Sequence, residues 1–159
     1  MSKTVIVTGA SRGIGHAISL YYAKKGFNVC VCCHKNANML DALKDEIENI
    51  GADCMTYVGN IGIFENAAEF FSLIKERFGK ADILINNAGI SYIGLLQDMT
   101  PSDWNDIVTS NLTSVFNCCK LAIPIMLGSH EGKIINISSV WGCVGASTEV
   151  AYSATKGGI

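Results

Sequence analysis

The chain has 159 residues, 49% of them hydrophobic and 16% charged, which is enough apolar side chain for one packed core and excludes a disordered chain. A net charge of −2 and a pI near 5.9 exclude a surface built to hold nucleic acid or anionic lipid. No run reads as a membrane span, and Met1-Ser2-Lys3-Thr4 leads into a strand without a leader, so a cytoplasmic protein is expected.

Strand and helix signals alternate along the chain. Thr4 to Thr8 is a buried strand, and Gly13 to Lys25 a helix stopped by Gly26, with Ile14, Ala17, Ile18 and Tyr21 on one face. Asn28 to Cys33 is a second strand, followed by a helix from Met39 to Ile50 that Gly51 closes. Cys54 to Val58 is a third strand, Phe64 to Phe78 a helix closed by Gly79, and Asp82 to Asn86 a fourth strand. Thr100-Pro101-Ser102-Asp103 supplies a cap, a proline at the first helical position and an acid in the first turn. The helix it opens runs past Asn111 and Cys119 to about Leu127, and Pro124 is expected to end or kink it. Lys133 to Ile137 is a fifth strand, and Ala151 opens a last helix. Nearly continuous apolar strands between helices imply an α/β fold, a Rossmann-type doubly wound parallel sheet with ligands at the carboxyl ends of its strands. No linker or repeat divides the chain, so residues 1–159 are expected to form a single domain.

The seven cysteines include Cys30, Cys32 and Cys33 beside His34. On a strand, Cys30 and Cys32 face one way and Cys33 the other, so one metal ion cannot gather them. They read as small buried hydrophobes, and no metal is expected.

Thr8-Gly9-Ala10-Ser11-Arg12-Gly13-Ile14-Gly15 joins the first strand to the first helix. Glycines there permit a tight turn and close backbone approach to a pyrophosphate at a helix N-terminus. NAD-preferring sites carry an acid at the end of the second strand, whereas this one reads Cys32-Cys33-His34-Lys35. With Arg12 as a cation for a 2′-phosphate, NADPH is expected over NADH. Asn86-Asn87-Ala88-Gly89 ends the fourth strand, where its amides can bond neighbouring backbone and the adenosine ribose.

Tyr152 and Lys156 lie one helical turn apart on one face. At ~5 Å and an effective dielectric of ~20 their Coulomb term is about 3 kcal/mol, which favours Tyr152 as a proton donor and acceptor near neutral pH. A second such pair, Tyr21 and Lys25, reads as a solvated helix face.

Thr8-Gly-x-x-x-Gly-Ile-Gly15, Asn86-Asn-Ala-Gly89, Asn111, Ser139 and Tyr152-x-x-x-Lys156 stand in the order and spacing of the short-chain dehydrogenase/reductase family, which the chain resembles over its whole length. Ala10 to Gly15 and Ile135-Asn136-Ile137-Ser138-Ser139 look most like the bacterial 3-oxoacyl-acyl-carrier-protein reductases. The resemblance implies a catalytic tetrad. Asn111 would hold a relay water, Ser139 would hydrogen-bond the substrate carbonyl, and Tyr152 would protonate it. Lys156 would lower the tyrosine's pKa and bind the nicotinamide ribose. Ser139 is preferred to Ser138 because it lies thirteen residues before Tyr152, as the family's serine does.

The resemblance also implies cofactor contacts from Gly9, Ser11, Arg12, Gly13, Ile14, Gly15, His34, Asn60, Ile61, Asn87, Ala88, Gly89, Tyr152 and Lys156. Asn60 stands where the family usually has an acid near the adenine amino group, and it can accept the same hydrogen bond. Family members continue well past Ile159, so five of the family's seven strands are expected here, with the chain cut inside the tyrosine helix. A homo-oligomer, tetramer or dimer, is implied for the full-length protein.

The implied activity is NADPH-dependent reduction of a ketone, small or carrier-protein-bound, with a 3-oxoacyl thioester of fatty-acid synthesis as the leading substrate. Another ketone or alcohol is an alternative. Gly145-Ala146-Ser147-Thr148-Glu149-Val150 resembles a branch that reduces a ketone on modified elongation factor P. An inactive nucleotide-binding fragment is the alternative of another class.

Overall fold

A computed structural model describes residues 2–159. Strands β1 (Thr4–Thr8), β2 (Asn28–Cys33), β3 (Cys54–Val58), β4 (Ile83–Asn86) and β5 (Lys133–Asn136) form one parallel sheet in the order β3-β2-β1-β4-β5. Helices α1 (Gly13–Lys24), α2 (Ala37–Asn49), α3 (Phe64–Phe78), α4 (Pro101–Val108), α5 (Ser114–Ser129), α6 (Trp141–Val144) and α7 (Val150–Gly158) join them. The chain builds outward from β1 through β2 to β3, then returns to the other side of β1 as β4. The reversal opens a crevice at the carboxyl ends of β1 and β4, where doubly wound sheets bind ligands.

Period-two alternation splits β1 to β4 between two apolar layers, while β5 is exposed along its length. Ile6, Cys30, Cys32 and Leu84 pack with Phe70 and Ile74 of α3 and Ala122 of α5. Val5, Val7, Val29, Val31, Cys33 and Ile85 pack with Ala23 of α1 and Leu40, Leu43 and Ile47 of α2. Cys30 and Cys32 therefore face away from Cys33, as strand geometry requires. Each fully buried Val, Leu or Ile contributes about 1.5–3 kcal/mol through burial.

The helix opened at Thr100 carries the expected capping box. The Asp103 N–H donates to Thr100 Oγ1 at 3.1 Å, and the Thr100 N–H donates to Asp103 Oδ2 at 3.1 Å. The Thr100 hydroxyl, which donates to Asp103 Oδ2 at 2.6 Å, and then the Thr100 N–H hold the Asp103 carboxyl below its ordinary range.

Several expectations need correcting. The helix from Pro101 does not stop or break at Pro124 but runs to Ser129, ending at a left-handed His130. Pro124 and Lys120, whose carbonyl loses its helical donor there, both lie on the exposed side of the helix, open to solvent. The same run is long and apolar enough to cross a membrane by length and composition alone. Its inner face is nevertheless part of the core, where Cys118, Ala122 and Met126 are buried with Phe70 and Leu84. Helix α2 begins at Ala37 rather than Met39, α7 begins at Val150, and β4 begins after Asp82, whose carboxylate accepts the Thr4 N–H at 2.7 Å. Residues Thr109–Thr113, between α4 and α5, form a π turn that periodicity did not predict. The four-residue α6 was also missed.

Candidate active site

The end of the crevice where the glycine loop opens α1 is assembled by side chains from β1 and β4. Thr8 Oγ1 accepts the N–H groups of Asn87 and Ala88, each at 3.0 Å. Asn87 Nδ2 donates to the carbonyls of Thr8 at 2.9 Å and Gly9 at 3.1 Å. The end of β4 thus pins the loop that opens α1. Gly9 has a φ of 65°, and a Cβ there would lie 2.7 Å from Ala88 Cα. A Cβ on Gly15 would meet Asn87 Nδ2 at 2.5 Å and the Gly9 carbonyl at 2.6 Å. Gly15 therefore shapes this turn from behind.

A cleft of about 690 Å³ follows the carboxyl edge of the sheet. Every cofactor residue expected from the sequence lines it except Gly15, Tyr152 and Lys156. Arg12 and His34 both line it, and so does Lys35, which the sequence reading passed over as a ligand. The signal for Lys35 was its place directly after the second strand. At β3 the expected Asn60 is present, but its Oδ1 already accepts the Gly62 N–H at 3.0 Å. One lone pair of that oxygen remains for an adenine amino group. Asn117 Nδ2 holds the same loop from α5 through the carbonyls of Ile61 at 3.0 Å and Gly62 at 3.1 Å.

At Gly89 the cleft comes up against Asn111 and Lys156, two of the four residues expected to be catalytic. A Cβ on Gly89 would lie 3.4 Å from Asn111 Oδ1 and 3.7 Å from Lys156 Nζ. Asn111 is fully buried in the π turn and grips the backbone of Ile90. Its Oδ1 accepts the Ile90 N–H at 2.8 Å, and its Nδ2 donates to the Ile90 carbonyl at 2.9 Å and to Thr155 Oγ1 at 3.2 Å. Thr155 Oγ1 in turn donates to the Tyr152 carbonyl at 2.8 Å. Thr155, which the sequence reading did not single out, thereby ties Asn111 to the tyrosine helix. Replacing it with valine leaves an Asn111 N–H buried without a partner, so Thr155→Val is expected to cost about 1–3 kcal/mol of stability in urea unfolding.

The adjacent serines that follow β5 diverge. Ser138 Oγ donates to the Lys156 carbonyl at 2.7 Å, whereas Ser139 Oγ accepts the Trp141 N–H at 3.2 Å and keeps its own proton for another acceptor. Lys156 Nζ donates to the Ile137 carbonyl at 2.7 Å and lies 5.7 Å from the centre of the Tyr152 ring. Burial holds the Lys156 ammonium's pKa below the ordinary lysine value. Lys25 lies the same 5.7 Å from the Tyr21 ring, but Tyr21 is 57% exposed. Surroundings, not spacing, distinguish the two pairs.

A family profile for short chain dehydrogenases matches residues 3–159. The 3-oxoacyl-[acyl-carrier-protein] reductase FabG of Staphylococcus aureus is 42% identical over 162 aligned positions, which cover 100% of this chain and 65% of that protein. A 3-oxoacyl-[acyl-carrier-protein] reductase of Synechocystis sp. is 39% identical, over 99% of this chain and 64% of that protein. A crystal structure from Sinorhizobium meliloti 1021, described as a candidate short-chain alcohol dehydrogenase, superposes with a TM-score of 0.93 at 33% identity, covering 99% of this chain and 63% of that one. The chain thus spans about two-thirds of the length of these relatives, and on the profile and the identities together it belongs to the short-chain dehydrogenase family.

Proposed function

We propose that the full-length protein is an NADPH-dependent carbonyl reductase whose leading substrate is a 3-oxoacyl thioester. The observation that carries this reading is Gly89. It lines the long cleft while standing against Asn111 and Lys156, so a nucleotide along the sheet edge ends beside the tetrad. The relatives named as 3-oxoacyl-[acyl-carrier-protein] reductases support the choice of substrate.

The cleft fits a dinucleotide in size and in its bare backbone at Gly9. Bound NADPH would supply a hydride to the carbonyl carbon. Ser139 and Tyr152 would aim hydroxyl protons at the carbonyl oxygen, where negative charge grows. Tyr152 would then give up its proton, leaving an alcohol. Lys156, fixed by Ile137, would hold the nicotinamide ribose, and Asn111 would keep Ile90 and the tyrosine helix in register. Residues 1–159 would serve as one dinucleotide-binding unit, and the exposed Phe116, Ile123 and Leu127 of α5 would face a second copy. A cytoplasmic location suits seven unpaired thiols.

The preference for NADPH rests on Arg12 and Lys35, which line the cleft with no acid among Cys32, Cys33, His34, Lys35 and Asn36 at the end of β2. The double variant Arg12→Ala, Lys35→Ala is expected to lower the NADPH-over-NADH ratio of kcat/KM about tenfold or more, mainly through the KM for NADPH. An unchanged ratio would remove these cations from cofactor selection. NADPH oxidation with a short 3-oxoacyl thioester tests the substrate, and turnover of other ketones without it would reject that choice.

A further inference from the structure

Ser138 has no part in the reduction just described, yet its hydroxyl bonds to Lys156. The whole short segment from Ile137 to Gly142 is folded around that lysine. The Ile137 carbonyl accepts from Lys156 Nζ at 2.7 Å. The Ser138 hydroxyl donates to the Lys156 main-chain carbonyl, also at 2.7 Å. Gly142, in α6, approaches so closely that a Cβ on it would stand 2.6 Å from the Lys156 carbonyl carbon. From the other side, a Cβ on Gly157 would lie 3.1 Å from the Gly142 carbonyl oxygen, so α6 and α7 meet backbone to backbone. Ser139 sits inside this segment. Its carbonyl accepts the Gly142 N–H at 3.0 Å, which closes the turn that brings Gly142 to Lys156.

A lysine stem is flexible, and a free one samples many rotamers. Here it is anchored at both ends, the ammonium on Ile137 and the backbone on Ser138. A carbonyl oxygen has two lone pairs, so the Ser138 bond is compatible with a helical N–H on the same oxygen. Lys156 is 5% exposed, and the Gly142 contact leaves its peptide no room to move towards α6. The two anchors and Ser139 are consecutive residues. The segment that presents the Ser139 hydroxyl therefore also sets the place of Lys156.

We propose that Ser138 is a positioning residue, which holds Lys156 in register with Ser139 and Tyr152 so that the ammonium meets the nicotinamide ribose. Ser138 acts through Lys156 and touches neither cofactor nor ketone. This rests on the reductase reading above and adds a residue to it.

The test uses full-length protein and two ligands, NADPH and adenosine 2′,5′-bisphosphate. The bisphosphate has the 2′-phosphate end of the cofactor and lacks the nicotinamide ribose. Affinities are measured by calorimetry, and kcat with a short 3-oxoacyl thioester is measured separately. Ser138→Ala is expected to weaken NADPH about fivefold, the effect of one lost hydrogen bond, while the bisphosphate stays within about twofold. Its kcat is expected to fall about tenfold as Lys156 leaves its place. Ser138→Thr keeps a hydroxyl and is expected to return both values to within about threefold of wild type. A general loosening of the fold would weaken the two ligands together. Equal weakening of both ligands in Ser138→Ala, unchanged NADPH affinity in that variant, or failure of Ser138→Thr to restore it overturns the proposal. A loss confined to NADPH, in a protein whose wild type reduces no ketone, leaves the proposal standing and rejects the reductase reading instead.

Discussion

Tyr152→Phe in the full-length protein is expected to lower ketone reduction by about 10²–10⁴-fold, the range for removing a general acid. Phenylalanine keeps the ring, and with it the packing of α7 against α6 and the π turn. Only the hydroxyl is lost. The backbone bonds that place this residue, from Thr155 Oγ1 to its carbonyl and onward to Asn111, do not involve the phenol. The cleft wall from Gly9 to Gly89 is also untouched. NADPH affinity, read by fluorescence titration, should therefore stay within about threefold, which separates loss of the acid from loss of the fold. Reduction within about tenfold of wild type would mean that another group supplies the proton.

Gly9→Ala is expected to damage both stability and nucleotide binding. The added Cβ would lie 2.7 Å from Ala88 Cα, a backbone atom that cannot swing aside as a flexible side chain can. Thr8 Oγ1 and Asn87 Nδ2 tie the two loops together through four hydrogen bonds, so separating them strains that whole joint. The φ of 65° adds the cost of a left-handed residue bearing a side chain. Overpacking and backbone strain together amount to about 2–6 kcal/mol. Urea unfolding should give a lower midpoint, and NADPH titration a weaker complex. An alanine variant with wild-type midpoint and affinity would show that Gly9 and Ala88 are not in such close contact.

The strands were legible because each is a short apolar run between turn residues. The helix stops were legible because Gly26, Gly51 and Gly79 adopt positive φ at helix ends, where a side chain is unfavourable. Features fixed by distant partners were not legible. The π turn at Thr109–Thr113 coincides with two tertiary contacts, Asn111 on Ile90 and the close approach of Gly62 to the Thr109 carbonyl, and neither leaves a mark on local periodicity. Pro124 was misjudged because local propensity does not reveal that its side of the helix faces water. Thr155 looks like an ordinary helix residue until α7 is seen against Asn111 of the π turn.

The cleft was legible almost entirely, since a glycine loop and two strand ends must converge at the edge of a parallel sheet. Lys35 was not legible as a cleft residue because it lies two residues beyond β2, where the sequence alone does not fix the direction of the chain. The hydropathy of Pro101–Ser129 points to a membrane as readily as to a core, and only its contacts with α3 and β4 place it in the core.

The central claim is that a ketone is reduced where the NADPH cleft meets Ser139 and Tyr152. The most direct measurement follows NADPH absorbance and product together, with full-length protein and a short 3-oxoacyl thioester. The account predicts one NADPH consumed per 3-hydroxyacyl thioester formed, with product formation lost in the Tyr152→Phe variant. A protein that binds NADPH in this cleft yet reduces neither that thioester nor any other ketone would contradict it.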